Sequence, residues 1–373
     1  MSMKSIPVEA AVVRQSGGPF KIEKAQLALP GDREVLVRLV AVGMCHTDTA
    51  ARDQIYPLPL PIVLGHEGSG VVEAIGPYVD KVKVGDHVVL SFMSCGQCRP
   101  CQTGAAAGCE HFNELNFAGA RPDGSHALCD HVGSPLNDRF FAQSSFATLA
   151  IAGERNLVKI RADAPLELLG PLGCGIQTGA GTVLNTLRVD AGASFAAFGG
   201  GAVGLSAIMA ARVAGATTII AIDVVPSRLE LARELGATHV INSREQDAVT
   251  AVREICPSGV DYAMDSTGRP EVVAGAVAAL RSRGVCAIVA GAKPGTQLAA
   301  DMNDVMQQQK VIRGAVEGDS VPDVFIPHLV DLFMQGRFPF DRLVRFYDFA
   351  DINQAAEDSE KGKTIKPILR FGQ

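Results

Sequence analysis

The 373-residue sequence contains no tryptophan, only four tyrosines and no long run of basic residues. Its formal net charge of −6, with scattered Lys and Arg, argues against a surface for nucleic acid or for an anionic membrane. A lysine and a proline interrupt the first seven residues, where a secretory signal needs an unbroken apolar core. We therefore expect no export signal, a cytoplasmic location and a small-molecule substrate.

A membrane span is also not expected. The most apolar stretch, residues 194–222, contains a single charged residue, Arg212, and has the hydropathy of a span. Three consecutive glycines divide it, and a charge near the centre of a span would need a partner in lipid. The stretch therefore predicts a strand, a glycine turn, a helix and a second strand.

The apolar pattern changes along the chain. The first part alternates short apolar runs with Gly and Pro, which is typical of a β-rich domain. After residue 175, β-branched runs separated by helical periodicity indicate parallel strands with crossover helices. We predict an α/β protein in which residues 319–373, ending in a strand at 364–370, return to the first domain. The predicted elements are strands at 35–42, 70–75, 87–92, 218–222 and 285–290, and helices at 205–214, 228–235 and 324–335.

Nine cysteines, an odd number, make a complete disulfide framework improbable and favour metal ligation. Four of them, Cys95, Cys98, Cys101 and Cys109, follow the spacing C-x2-C-x2-C-x7-C. Four thiolates can surround one tetrahedral Zn²⁺ and leave no position for water, so such a site is structural. An iron–sulfur cluster is the competing interpretation, because short C-x2-C-x2-C runs also hold one.

A glycine motif predicts a dinucleotide site. Gly199, Gly201 and Gly204 match G-x-G-x-x-G between an apolar run and a helix-like run, where glycines let the backbone approach a pyrophosphate at a helix N-terminus. Asp223 follows the next strand-like run, where a carboxylate binds the adenosine ribose and repels a 2′-phosphate. NAD is therefore predicted over NADP. Arg228 leaves NADP open, since a nearby Arg can accommodate the 2′-phosphate.

Two cysteines and one histidine outside these motifs could form a reactive metal centre. Cys45, His66 and Cys174 would supply three ligands and leave a fourth tetrahedral position for water or substrate, as in a catalytic zinc site. Taken singly, each has an ordinary explanation as a buried thiol, a hydrogen-bonded core histidine or a turn residue.

These motifs together resemble the zinc-containing medium-chain alcohol dehydrogenase family. The shared features, in chain order, are Gly65-His66-Glu67, the four-cysteine lobe, the Cys174 turn and the glycine motif. The resemblance implies a Rossmann NAD-binding domain at 177–318 and a β-rich, GroES-like catalytic domain formed by residues 1–176 and 319–373. Among members the chain is most similar to bacterial aryl-alcohol (benzyl alcohol) dehydrogenases, through Cys-His-Thr-Asp at 45–48 and Ser-Ser-Phe-Ala at 144–147.

The resemblance also implies two zinc ions, one structural and one catalytic, and roles at the catalytic ion. Cys45, His66 and Cys174 would bind that zinc, with Glu67 as an occasional fourth ligand. Asp48 would orient His66, and Thr47 would hydrogen-bond the alcohol and pass its proton outward. The implied cofactor contacts are His46 and Lys366 at the pyrophosphate, and Thr178 and Val203 beside the nicotinamide.

One departure concerns the proton relay. Family members often carry a histidine five residues after the first zinc ligand, and this chain has Ala50. The relay then ends in water or in another group.

Aromatic residues and one methionine near the zinc motifs suggest an apolar slot for an aryl or allylic primary alcohol. These are Tyr56, Phe92, Met93 and Phe117. A glutathione-dependent formaldehyde dehydrogenase remains an alternative through Asp53, although residues 110–114 lack the Lys or Arg expected to hold the adduct. A non-catalytic NAD- and zinc-binding protein is a further alternative.

Family analogy implies a homo-oligomer, a tetramer rather than a dimer.

Overall fold

The computed structural model describes residues 5–372. Residues 1–4, on which part of the export-signal expectation falls, lie outside the described residues. The described chain divides into unit 1, residues 5–174, 321–334 and 341–372, and unit 2, residues 175–320 and 335–340. Residues 335–340, which the sequence placed with the catalytic domain, group with unit 2. Both phenylalanines of this segment, Phe338 and Phe340, are fully buried, and chain order alone does not reveal where such side chains pack.

Consecutive strands dominate the first part of the chain, and strands alternate with helices over residues 194–314. The strands β1 to β18 are Ser5–Val13, Lys21–Ala28, Glu34–Gly43, Ile62–Val63, Glu67–Ile75, His87–Leu90, Leu128–Asp130, Pro135–Leu136, Leu149–Gly153, Leu157–Ile160, Ser194–Phe198, Thr218–Asp223, His239–Asn242, Val260–Asp265, Leu280–Ile288, Val311–Gly314, Val344–Asp348 and Lys366–Arg370. The helices α1 to α12 are His46–Arg52, Arg99–Gln102, Phe112–Phe117, Leu166–Leu169, Gly175–Gly181, Ala202–Ala214, Pro226–Leu235, Ala248–Ile255, Pro270–Ala278, Met302–Gln307, Pro322–Met334 and Ile352–Glu360. A π-helix, Thr182–Leu187, continues α5, and short 3₁₀ turns include Gly170–Gly173 and Glu317–Asp319.

Unit 1 contains two sheets with mostly antiparallel pairing. One has the order β4-β1-β2-β7-β8, and the other has β10-β6-β5-β3-β18-β17 with β9 also paired to β3. A hydrophobic cluster that includes Val12, Phe20, Leu64 and Phe146 packs against these strands. β18 pairs antiparallel with β3, which confirms the predicted return of the C-terminal strand to the first domain.

Unit 2 is built on a parallel six-stranded sheet in the order β13-β12-β11-β14-β15-β16. Five of the six residues of β12 are buried, as expected for a strand covered on both faces. The order of strands reverses between β11 and β14, and ligands of such sheets bind beyond the carboxyl ends at that point. The glycine motif begins directly after β11 and therefore lies at this position.

The predicted elements are present with shifted ends. The helices predicted at 205–214, 228–235 and 324–335 correspond to α6, α7 and α11. The strand predicted at 285–290 is the end of β15, which begins at Leu280 and includes the exposed polar residues 281–283. Apolar periodicity gave no signal for that polar start. Across residues 5–372, every helix is too short or too polar to cross a membrane.

Candidate functional site

The four-cysteine lobe brings its thiols to one point. One sulfur from each of Cys95, Cys98, Cys101 and Cys109 lies within 4.8 Å of the others. The Sγ–Sγ distances are 4.0 Å for Cys95–Cys101 and 3.9 Å for Cys98–Cys109. Four thiolates around one Zn²⁺ at a Zn–S distance of about 2.3 Å have sulfurs about 3.8 Å apart. The lobe therefore fits a single tetrahedral ion.

The backbone of the lobe favours thiolates. The amides of Gln97 and Cys98 both donate to Cys95 Sγ, at 3.4 and 3.3 Å, and lower the pKa of Cys95 to about 6. Burial raises the pKa of Cys109 to about 12, so this thiol needs a metal ion to ionise at neutral pH. An iron–sulfur cluster binds its thiolates through several iron atoms, which spreads them further apart than this compact set.

A second cluster unites four residues from distant parts of unit 1. Ligand atoms of Cys45, His66, Glu67 and Cys174 lie within 4.8 Å of one another. Cys45 is the N-cap of α1. His66 directly precedes β5 and Glu67 is its first residue, and Cys174 follows the turn Gly170–Gly173. That turn packs tightly on β6, because a Cβ on Gly173 would lie 2.0 Å from the carbonyl oxygen of Leu90.

Asp48 organises this second cluster. Its Oδ1 lies 2.8 Å from His66 Nδ1 and accepts from the Gly65 amide, while Oδ2 accepts from the Cys45 amide at 2.8 Å. The carboxylate is fully buried and acceptor-only, which assigns the ring proton to Nδ1. His66 Nε2 is then a buried lone pair that no hydrogen-bond donor satisfies within residues 5–372. Two thiols, this nitrogen and a carboxylate are the donor set of zinc, so the residues present fit that ion.

Lys366 lies at this second cluster. It is 2% exposed, and its Nζ donates to both Glu67 oxygens at 2.9 Å and to the Met44 carbonyl at 3.2 Å. The contact with the cofactor pyrophosphate stays a prediction. β18 is an inner strand between β3 and β17, which accounts for the burial. In this structure the lysine neutralises Glu67.

The electrostatics of the second cluster are set by burial and by Lys366. Burial raises the pKa of Glu67 to about 7, although the Lys366 ammonium opposes this change. The hydrogen bond with Cys174 lowers the pKa of the Cys45 thiol well below its usual range, and the Lys366 charge adds to this effect against the opposing effect of burial. A zinc ion would complete the balance, since two thiolates and one carboxylate carry three negative charges against three on Zn²⁺ and Lys366.

Thr47 and His46 lie on the first turn of α1. Thr47 Oγ1 is 3.7 Å from Cys45 Sγ and the residue is half-buried, so its hydroxyl is close to a candidate ligand. The His46 side chain is exposed. Ala50 is 3% exposed on the same helix and offers no proton acceptor.

An aromatic cluster lies against His66, and the sequence prediction found only part of it. The Phe141 ring stacks on the imidazole with centroids 4.4 Å apart, and Phe140 meets it edge-on at 5.3 Å. Phe117 contacts both rings and Tyr56. Phe92, predicted to contact substrate, is 2% exposed, about as buried as Phe140 and Phe141, and packs at 5.7 Å from Phe112. The Phe140-Phe141 pair was visible in the sequence, but nothing there placed it beside His66.

The glycine motif in unit 2 fits a dinucleotide. Gly199 has φ +107°, and a Cβ on Gly204 would lie 1.8 Å from the Gly199 carbonyl oxygen. Nothing lies within 4 Å of the position of a Cβ on Gly201, at the N-terminus of α6. The backbone amides at the N-terminus of α6, together with the helix dipole, are therefore accessible for binding a pyrophosphate.

Asp223 ends β12 beside this turn. Its Oδ2 accepts from the Gly200 amide at 2.5 Å and its Oδ1 from the amides of Val224 and Val225. Arg228 Nη1 is 3.9 Å from Asp223 Oδ2. The structure thus brings together the acid and the arginine that the sequence analysis weighed against each other.

The remaining predicted cofactor residues are on α5 and α6, where Thr178 is 9% exposed and Val203 half-buried. Sequence reasoning missed a neighbour of Thr178. The buried carboxylate of Glu317 has Oε2 3.4 Å from Thr178 Oγ1. No sequence pattern indicated Glu317, because it lies in an irregular segment more than a hundred residues away from Thr178.

Comparison with known proteins gives two family matches. Residues 31–162 match the alcohol dehydrogenase GroES-like domain, and residues 202–334 match the zinc-binding dehydrogenase domain. The first region contains the four-cysteine lobe together with His66, and the second begins within the glycine motif.

Relatives match over nearly the whole chain. Geraniol dehydrogenase from Castellaniella defragrans is 47% identical over 368 residues, covering 98% of both chains. The structure of an alcohol dehydrogenase zinc-binding domain protein from Burkholderia ambifaria is 59% identical, with a TM-score of 0.98 over 99% of this chain and all of that one. The structure of benzyl alcohol dehydrogenase from Acinetobacter calcoaceticus is 54% identical, with a TM-score of 0.96 over 98% of this chain and all of that one.

Proposed function

The chain belongs to the zinc-binding medium-chain alcohol dehydrogenase family, and we propose that it oxidises a primary aryl or allylic alcohol to the aldehyde with NAD as the hydride acceptor. The observation that carries the substrate class is the similarity to two relatives whose substrates, by name, are geraniol and benzyl alcohol. Both alcohols have an unsaturated carbon next to the carbinol carbon. An unsaturated neighbour stabilises positive charge that develops there as hydride leaves.

The aromatic cluster beside His66 supports this substrate class. The half-buried ring of Phe117 contacts the rings of Phe140 and Phe141, and these two rings contact the imidazole. Flat unsaturated groups gain edge-to-face and stacking contacts with such walls. Tyr56 is half-buried at the end of this cluster and supplies a polar tip.

The residues of unit 1 carry the proposed chemistry. Bound zinc supplies Lewis-acid stabilisation of the substrate oxygen, and NAD supplies the hydride acceptor. Cys45, His66 and Cys174 hold the metal, and Asp48 keeps the His66 proton on Nδ1. Thr47 accepts the alcohol proton at Oγ1 and passes it to solvent, because Ala50 has no side-chain base.

Asp223 supports NAD over NADP. Three backbone amides fix this carboxylate beside the glycine turn, so it is in place for a ribose hydroxyl. A 2′-phosphate would meet the same negative charge. Arg228 compensates only in part, since it lies close to Asp223.

Two alternatives have less support. Asp53, the residue that kept a glutathione-dependent formaldehyde dehydrogenase open, is engaged by Arg52 Nε and Nη2 at 2.7 and 3.1 Å. A non-catalytic protein would have no need for Thr47 beside a complete ligand set.

We also propose a homo-oligomer, a tetramer rather than a dimer, in the cytoplasm. Apolar side chains are exposed on and next to the edge strand β16, with Met302 84%, Met306 65% and Val311 48% exposed. Exposed apolar groups on an unpaired strand edge favour association. The abundance of thiols in metal-ligand spacing suits a reducing compartment.

The first test is NAD reduction by zinc-loaded protein with geraniol, benzyl alcohol, ethanol and a polyol. We expect kcat/KM for the two unsaturated alcohols to exceed that for ethanol by about 10- to 100-fold. NADP should be the poorer cofactor, and a chelator should abolish turnover. Preference for formaldehyde with glutathione would favour that alternative, and no turnover with any alcohol would favour the non-catalytic one.

Thr47→Val tests the proton path in the same assay. Removing the hydroxyl should lower kcat by about 10²- to 10⁴-fold with zinc content unchanged. Thr49→Val is the matched control, because Thr49 Oγ1 bonds the His46 carbonyl instead. Equal activity of the two variants would contradict the relay role.

A further inference from the structure

A buried carboxylate lies against the segment of unit 2 that the proposed function assigns to the nicotinamide. Glu317 is 7% exposed, and its Oε2 accepts from Thr178 Oγ1 at 3.4 Å and from Gln177 Nε2 at 3.2 Å. Gln177 is itself fully buried and accepts at Oε1 from Ser320 Oγ at 2.9 Å. Both groups donate to Glu317, and this arrangement favours a carboxylate anion.

The backbone that carries Glu317 is strained. Glu317, Gly318 and Asp319 have φ values of +48°, +62° and +48°, three successive residues in the left-handed region. Two of them carry side chains, for which this conformation is unfavourable. Such strain persists where surrounding contacts impose it, and it concentrates at ligand sites.

The contacts that impose the strain all lie in unit 2. Asn185 Nδ2 donates to the Gly318 carbonyl at 3.1 Å, and Asp319 Oδ2 accepts from Thr186 Oγ1 at 3.0 Å and from Arg313 Nη2 at 2.8 Å. A Cβ on Gly181 would lie 2.4 Å from the Gly318 carbonyl oxygen, so the segment is pressed onto α5. These contacts hold the Glu317 carboxylate in one place.

The two oxidation states of the cofactor differ in the charge of the ring. The nicotinamide of NAD⁺ carries a positive charge that NADH lacks, and a fixed anion in a water-poor site stabilises the charged form selectively. We propose that Glu317 shifts the cofactor preference toward the oxidised form, strengthening the binding of NAD⁺ relative to that of NADH through charge. The inference rests on the proposed function, which places Thr178 beside the nicotinamide.

Calorimetric dissociation constants for NAD⁺ and NADH test this inference on the zinc-loaded protein. Glu317→Gln keeps the shape of the side chain and removes its charge. We expect about tenfold weaker NAD⁺ binding with NADH unchanged, a difference of about 1.4 kcal/mol. Glu317→Asp retains the charge and should keep most of the preference.

Glu254→Gln is the matched control, since it makes the same change at an exposed glutamate of unit 2 that lies on α8, outside the strained segment. It should leave the ratio of the two constants within about twofold. Equal weakening of both cofactor forms by Glu317→Gln would show a structural role and overturn the inference. An unchanged ratio would overturn it as well.

A measurement on the wild-type protein does not depend on the folding of any variant. A dinucleotide with a neutral benzamide ring in place of nicotinamide should bind about tenfold more weakly than NAD⁺. Equal binding of the two would overturn the inference. Failure of the wild-type protein to bind either NAD⁺ or NADH would instead contradict the proposed function, and this inference with it.

Discussion

The two metal sites of unit 1 differ in the sequence separation of their ligands and in the solvent exposure of those ligands. The lobe takes four thiols from residues 95–109, three of them half-buried. The second centre takes its ligands from residues 45, 66, 67 and 174, with His66 and Glu67 fully buried. The lobe is formed by one short segment and is partly exposed, whereas the second centre is assembled by the fold and is mostly buried.

The difference in burial explains a difference in charge. Four thiolates around Zn²⁺ leave two excess negative charges, which the exposed lobe can leave to water. The second centre cannot do so, and it contains a buried lysine, Lys366, that balances Glu67. A buried site that binds substrate thus requires charge balance from residues on distant strands. A closed structural site requires only the correct spacing of its cysteines in the sequence.

The largest effect that would separate the two sites is expected from Cys174→Ser. Loss of this thiolate should remove the zinc of the second centre and lower kcat by at least about 10³-fold, about 4 kcal/mol. The melting temperature should change little, because the lobe zinc remains. The zinc content measured by metal analysis should fall from two ions per chain to one.

Cys286→Ser, which alters a fully buried cysteine of unit 2 outside both clusters, is the control for the loss of a buried thiol. Full turnover by Cys174→Ser would show that this centre is not the reactive one.

Cys109→Ser should have the opposite profile. Removing one of four lobe ligands should release one zinc and destabilise the fold by about 3 kcal/mol or more. Turnover per remaining zinc should stay within about threefold of wild type, because the second centre is built from other segments. Zinc analysis, thermal unfolding and the alcohol assay measure the three quantities.

Cys129→Ser is the matched control for the lobe, since Cys129 is half-buried and lies outside both clusters. Loss of turnover without loss of stability in Cys109→Ser would reverse the roles of the two sites.

The same contrast explains what the sequence could predict. The lobe was readable because its spacing is local, and the glycine motif because a strand, a turn and a helix are consecutive. The β-rich first part and the parallel strands with crossover helices followed from the pattern of apolar runs. The contact of Lys366 with Glu67 was not predicted, because the pairing of β18 with β3 and of β3 with β5 brings these two residues together.

Side-chain surroundings were the part that could not be predicted. Phe141 stacks on His66 from a segment with a left-handed backbone, at φ +52°, which no periodic pattern indicates. Glu317 likewise lies in a left-handed segment held by contacts with α5 and the π-helix. Both positions depend on tertiary contacts that local propensity does not contain.

The smallest of these effects concerns Asp48, and it tests whether the second centre depends on support beyond its ligands. Asp48→Asn keeps the size of the side chain but replaces one acceptor oxygen with an NH₂ group. The NH₂ group cannot accept a hydrogen bond, so the one remaining oxygen serves either the Cys45 amide or His66 Nδ1–H, and the other contact is lost. Zinc affinity at this centre should fall by about 10- to 100-fold, about 1.4 to 2.8 kcal/mol, while the lobe keeps its ion.

Competition with a chelator of known affinity, followed by zinc analysis, measures the two sites separately in Asp48→Asn. Arg38, whose salt bridge with Glu73 is exposed, offers a control: Arg38→Gln should leave both affinities unchanged. Equal loss of zinc from both sites in Asp48→Asn would mean that the variant loosens unit 1 as a whole. Selective loss from the second centre would show that a dry, substrate-accessible metal site owes part of its affinity to a residue that never touches the metal.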